Sequence, residues 1–211
     1  MKKRSFHYKR VIGIGLALVL FLGGIGIIQN ILDTQTQDFE DESVVKVEDK
    51  KNTTDSNQEK TIETLKAPVK DGIGVVRYFY NKDDDSAKQE QSLILFENVY
   101  RPNQGVDYAN KNEKFDVLAA ISGTVTKKTN DPVLGWVITI TNSDKISTTY
   151  ESLSQVNVEM KQEVKQGDVI GISGENVYEA DLNNHLHFIL QKGDQLFNPE
   201  KYIGQPLNTI K

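Results

Sequence analysis

The chain has no cysteine among its 211 residues, so it has neither a disulfide framework nor a cysteine-ligated zinc site. Histidine is nearly as scarce. His7, His185 and His187 are the three present, and any chemistry that needs an imidazole must use them. No internal repeat is visible and no long stretch keeps a helical period, which argues against repeat and helical-bundle architectures. The net charge is −5 and no basic stripe appears beyond the N-terminal tail, so nothing points to nucleic acid.

Charge is also absent locally, between Val11 and Leu32. Twenty-two uncharged residues reach about 33 Å as a helix, enough to cross the hydrocarbon core of a bilayer. Lys2, Lys3, Arg4, Lys9 and Arg10 precede this run and Asp33 follows it. The positive-inside rule therefore predicts a cytoplasmic tail over 1–10, a signal-anchor helix over 11–32 and an extracytoplasmic remainder. A cleaved signal peptide is the competing reading, but no small-x-small cleavage site follows the run. Residues 33–69 are predicted to be a flexible acidic linker, too poor in apolar residues to offset their ordering entropy.

From residue 70 the sequence turns to short apolar runs separated by turn residues. Strands are expected at Gly74–Tyr80, Ser92–Phe96, Val117–Ile121, Thr124–Thr126, Trp136–Thr141, Ile146–Tyr150, Val169–Ile172 and Leu186–Gln191. Asn142-Ser-Asp-Lys145 reads as a hairpin turn, and Asp83-Asp-Asp-Ser86 as an acidic loop. This spacing predicts an all-β domain over 70–211, a sandwich or barrel, with Trp136 in its core.

Two motifs carry the chemistry. In a strand His185 and His187 project to one face, with Leu186 on the other. Gly105-Val-Asp107 supplies a carboxylate that another strand could bring across to them, a zinc-hydrolase geometry. Glu179 and Asp181 precede His185 in an expected loop, with solvated roles for both.

Gly105-Val-Asp-Tyr-Ala109, Ser122-Gly-Thr-Val125, Val164-Lys-Gln-Gly-Asp-Val-Ile-Gly171, His185-Leu-His-Phe188 and Asn198-Pro-Glu-Lys-Tyr202 resemble, in order, the LytM-type zinc peptidase domain of peptidase family M23. The resemblance implies an antiparallel β-sandwich and zinc ligands at position 103, Asp107 and His187. It also implies a catalytic pair at position 152 and His185. Here position 103 is Asn and position 152 is Ser. An amide oxygen is a weak zinc donor, and a serine hydroxyl has no pKa near neutrality with which to act as general base. The site therefore reads as vestigial, with no catalytic residue and no required metal; weak residual zinc on Asp107, His185 and His187 is the alternative.

Phe96-Glu-Asn-Val-Tyr-Arg-Pro-Asn-Gln-Gly-Val-Asp107, Leu134-Gly-Trp136 and Thr148-Thr-Tyr-Glu-Ser-Leu-Ser154 are similar to the sporulation branch of that family. That likeness implies a non-catalytic interaction domain on the forespore membrane. Its partner would be the extracellular domain of a mother-cell protein, met across the intermembrane space within a channel complex. A zinc metalloendopeptidase acting on peptidoglycan and a peptidoglycan-binding cleft without chemistry are the other readings. The region Asn81–Ser92 and its neighbouring strands are the expected partner surface.

Overall fold

The structure, a computed structural model, describes residues 62–211. The tail, the apolar span and the linker as far as residue 61 lie outside the described residues. The rest is an antiparallel all-β domain, as the sequence led one to expect. Its strands are β1 (Gly74–Arg77), β2 (Leu93–Phe96), β3 (Val99–Pro102), β4 (Val106–Ala109), β5 (Asp116–Leu118), β6 (Gly123–Asp131) and β7 (Gly135–Thr141). β8 (Ile146–Val156), β9 (Glu163–Val164), β10 (Val169–Ser173), β11 (Leu186–Lys192) and β12 (Gln195–Phe197) complete the set. The main sheet runs β1-β4-β11-β8-β7-β6-β9, with β12 beside β11 and β10 joining β5 to β8.

β8 organises this sheet. Ile146–Glu151 pairs with β11 on one side, and β7 lies along the other. Beyond Ser152 the strand changes partner, and Leu153–Val156 pairs with β10. The change happens at a residue with φ of 66°, the left-handed region, where the Ser152 N–H donates to the Leu134 carbonyl at 2.9 Å. Inward-facing residues of the layers meet in one core, where Tyr150 and Phe188 are fully buried with ring centroids 5.3 Å apart. The Tyr150 hydroxyl is also satisfied, accepting from the Ala120 N–H at 2.7 Å.

A hairpin outside the main sheet pairs β2 with β3. Its turn residues Glu97 and Asn98 both have positive φ, the mirror-image turn whose twist suits two-residue hairpins. The expected acidic loop before it is in part a short surface helix, α1 (Ser86–Gln91), because the Asp85 side chain caps the Lys88 N–H at 3.0 Å.

The domain begins earlier than residue 70. Leu65 is fully buried in the core, its N–H donates to the Gln205 carbonyl at 3.0 Å, and its carbonyl accepts from Gly204 at 2.8 Å. Glu63 accepts from both the N–H and the hydroxyl of Ser122, at 2.9 and 2.7 Å. A polar composition hid one apolar anchor at the linker's end. Leu65→Ala is therefore expected to lower the unfolding free energy by about 2–5 kcal/mol. A chain starting at residue 70 should likewise melt below one starting at residue 57, and equal denaturant midpoints would show the segment contributes nothing.

Candidate functional site

The sheet register builds the site. Arg77 on β1 lies opposite Asp107 on β4, Asp107 opposite His187 on β11, and His187 opposite Glu151 on β8. Directly opposite residues share a face, so four adjacent strands present cation, anion, imidazole and anion in one line. Their exposures are 6, 0, 5 and 9%. A bulge between Val75 and Arg77 turns the arginine onto this face. Gly105 lets the start of β4 pass beneath the line. A Cβ there would sit 2.5 Å from the Phe188 carbonyl oxygen and 2.8 Å from His187 Nε2.

Glu179, from the loop ahead of β11, closes the cluster and is fully buried. Its Oε1 lies 3.4 Å from His187 Nδ1 and 3.5 Å from the Arg77 guanidinium. Its Oε2 accepts from Asn176 Nδ2 at 3.2 Å and faces His185 Nε2 at 3.3 Å. The solvated role expected for Glu179 is thus corrected, whereas Asp181 is largely exposed and forms an ion pair with Arg77. Nothing in the local sequence marked Arg77 or Glu179. One is a lone basic residue in an apolar strand, the other an acid in a polar loop.

The residues named from the sequence do come together. His187 Nδ1–H donates to Asp107 Oδ1 at 2.6 Å. His185 is fully buried; its Nδ1–H donates to the Asn183 carbonyl at 2.8 Å, and its Nε2 meets Ser152 Oγ at 3.0 Å. Both ends of the Asn103 amide are committed, Oδ1 accepting from the Gly105 N–H and Nδ2 donating to Asp107 Oδ2, each at 3.1 Å. The Gly105 donor fixes that orientation and turns the amide nitrogen, not the oxygen, toward the carboxylate.

Charge follows from this packing. Burial alone would push the His187 imidazole down, but Asp107 and Glu179 outweigh it and hold its pKa well above the usual 6.5. His185 is also raised, burial again opposing and Glu179 prevailing. Burial pushes the Asp107 carboxyl up against the pull of His187. For Glu179 burial acts upward too, but the two histidines overcome it and its pKa lies below the usual 4.5.

Asp107, Glu179 and His187 offer donor atoms within 4.8 Å of one another, close enough to converge on an ion. The surroundings do not fit zinc. A permanently charged guanidinium lies 3.7 Å from Asp107 Oδ2 and 3.5 Å from Glu179, and the Asn103 oxygen is spent on the backbone. Ser152, not a second imidazole, faces His185 Nε2, and the His185 Nδ1–H is spent on the Asn183 carbonyl. Beside the cluster opens a cavity of about 640 Å³, lined by His187, Glu151, Arg101, Asp131, Phe96 and Tyr178 among others.

The sequence pattern of peptidase family M23 matches residues 101–199. Stage II sporulation protein Q of Bacillus subtilis (strain 168) is 41% identical over 155 residues, which is 72% of this chain and 55% of that protein. The chain thus spans about half the length of this relative. A solved chain of the SpoIIQ–SpoIIIAH pore-forming complex superposes with a TM-score of 0.69 and 40% identity, covering 71% of this chain and 97% of the other. In a second SpoIIIAH–SpoIIQ complex the values are 0.65 and 41%, with coverage of 66% and 100%. A zinc-containing peptidase of Vibrio cholerae, at 20% identity and a TM-score of 0.53, shares the fold; the match covers 65% of this chain and 40% of the peptidase.

The buried charges predict a pH profile. Raised histidine pKa values stabilise fully below about 6.5, the unfolded value, and that contribution is lost as pH rises through the folded values. The depressed Glu179 stabilises fully above about 4.5 and loses this as pH falls. Stability measured by denaturant midpoint should therefore peak between these values and decline into the alkaline range. His187→Gln should flatten the alkaline limb, and a wild-type profile flat across neutrality would contradict the assignment.

Proposed function

Because the chain belongs to the stage II sporulation protein Q family, built on a peptidase family M23 domain, we propose that its folded domain is a non-catalytic interaction module in endospore formation. The basic tail lies in the cytoplasm, residues 11–32 anchor the protein in the forespore membrane, and the domain faces the space toward the mother cell. Its partner is the extracellular domain of a stage III sporulation protein AH, with which it contributes to a channel complex joining the two cells.

The observation that carries this reading is the match to two solved SpoIIQ chains, both in complex with SpoIIIAH and covered over 97 and 100% of their lengths. The site supports its non-catalytic half. In this reading Asn103, Asp107 and His187 hold the family's ligand positions and Ser152 and His185 its catalytic pair, with the first ligand and one base replaced. The β2–β3 hairpin, next to α1, offers a surface for the other half. Leu95 and Tyr100 lie directly opposite each other on it, 52 and 66% exposed, with Val99 beside them at 51%. The outer edge of β1 adds unpaired main chain to which a partner strand could bond.

A second reading is favoured by the cavity beside His187, which is large enough to hold a segment of peptidoglycan without chemistry. Pelleting with purified cell wall distinguishes the two, since the interaction module should stay in the supernatant.

Two measurements test the proposal. Residues 57–211 should bind the extracellular domain of a stage III sporulation protein AH on a biosensor surface, and Leu95→Glu with Tyr100→Glu should weaken binding by about tenfold or more without changing the melting temperature. The same protein, given zinc and cell-wall material, should release no peptide. Absence of binding by the wild type would overturn the partner, and chelator-sensitive digestion would restore the peptidase.

A further inference from the structure

The loss of one histidine ligand does not by itself account for the state of this centre. Asp107, Glu179 and His187 still bring three donor atoms within 4.8 Å of one another. What separates them from a metal site is a fourth residue that the M23 motifs do not include. Arg77 enters from β1 as the ladder partner of Asp107, and its side chain is 7% exposed. One guanidinium nitrogen lies 3.7 Å from Asp107 Oδ2 and 3.5 Å from Glu179 Oε1, and the other pairs with Asp181 at the rim. Two buried carboxylates need positive partners, and beside the imidazole of His187 the guanidinium of Arg77 supplies one that is planar and fixed in place.

We infer that Arg77 is the built-in cation of this site, held where its charge neutralises Asp107 and Glu179 in place of a metal ion, and that it excludes divalent zinc from the ligands that remain. The Asp181 pair fixes the guanidinium from the solvent side, and the β1 bulge sets the arginine on the ligand face. A dication placed among the same oxygens would meet this fixed charge at close range. Restoring the first histidine ligand would therefore not restore the site while Arg77 stays. The exclusion concerns the metal centre alone and holds whichever partner the domain meets.

The test is titration of the full chain with Zn²⁺ by calorimetry and with Co²⁺ by visible absorption, whose intense bands mark tetrahedral coordination. Four proteins are compared: wild type, Arg77→Met, Asn103→His and the double variant. Wild type and Asn103→His should show no stoichiometric binding. Arg77→Met should bind zinc at least tenfold more tightly than wild type and melt at higher temperature with zinc than without. The double variant should bind most tightly, and adding Glu179→Gln to Arg77→Met should abolish the gain. A folded Arg77→Met protein with no gain in affinity would overturn the inference. So would stoichiometric zinc on wild type or on Asn103→His, both of which retain the arginine and remain decisive even if Arg77→Met fails to fold.

Discussion

Two carboxylates buried at 0% exposure, Asp107 and Glu179, set the terms for everything around them. An ionised carboxylate removed from water costs several kcal/mol unless it is paired and hydrogen-bonded, of the order expected for buried ions generally. The domain meets that cost from several directions at once. β1 supplies a guanidinium, β11 supplies an imidazole, the loop before β11 supplies the Asn176 amide to Glu179, and Asn103 donates its own amide to Asp107. Arg77 and His187 are far from Asp107 in the chain, so the cluster exists only if β1, β4, β11 and β8 align in a single register. A one-residue slip of any of them would carry its charge to the opposite face and leave the others unpaired.

This dependence on register explains what the sequence could and could not reveal. Alternation and turn residues located most of the longer strands, among them β7, β8, β10 and β11, and the Asn142–Lys145 hairpin between β7 and β8. The motif residues Asn103, Asp107, Ser152, His185 and His187 do converge, because His185 and His187 share a face and β4 lies beside β11. Arg77 stayed invisible since its role depends on a bulge and on a strand pairing across thirty residues, neither of which leaves a local pattern. Glu179 looked like any solvated acid in a polar loop. The short strands β3, β4, β9 and β12 owe their extension to neighbours more than to propensity. In the same way α1 follows from a cap at Asp85 that reads, in isolation, as one more acid in an acidic run.

Ser152 occupies a position whose place in the architecture is fixed by the backbone. It sits where β8 leaves β11 for β10, in a left-handed conformation that few side chains other than glycine, asparagine and aspartate adopt readily. A short hydroxyl at this point reaches His185 and holds it in the interior. The strand crossing is set by the backbone, whatever proton chemistry the side chain at this position can support.

The anchoring of Leu65 has a mechanical side. Among the described residues, tension arriving along the chain from upstream first reaches the segment 63–66, which is bonded to Gln205, Gly204, Ser122 and Ala120 before the sheet proper begins. That load passes into the C-terminal turns and the base of β6, on a route that omits β1, Arg77 and the exposed hairpin. A pull on that segment would strain this fastening before it distorted either the charged cluster or the exposed β2–β3 hairpin.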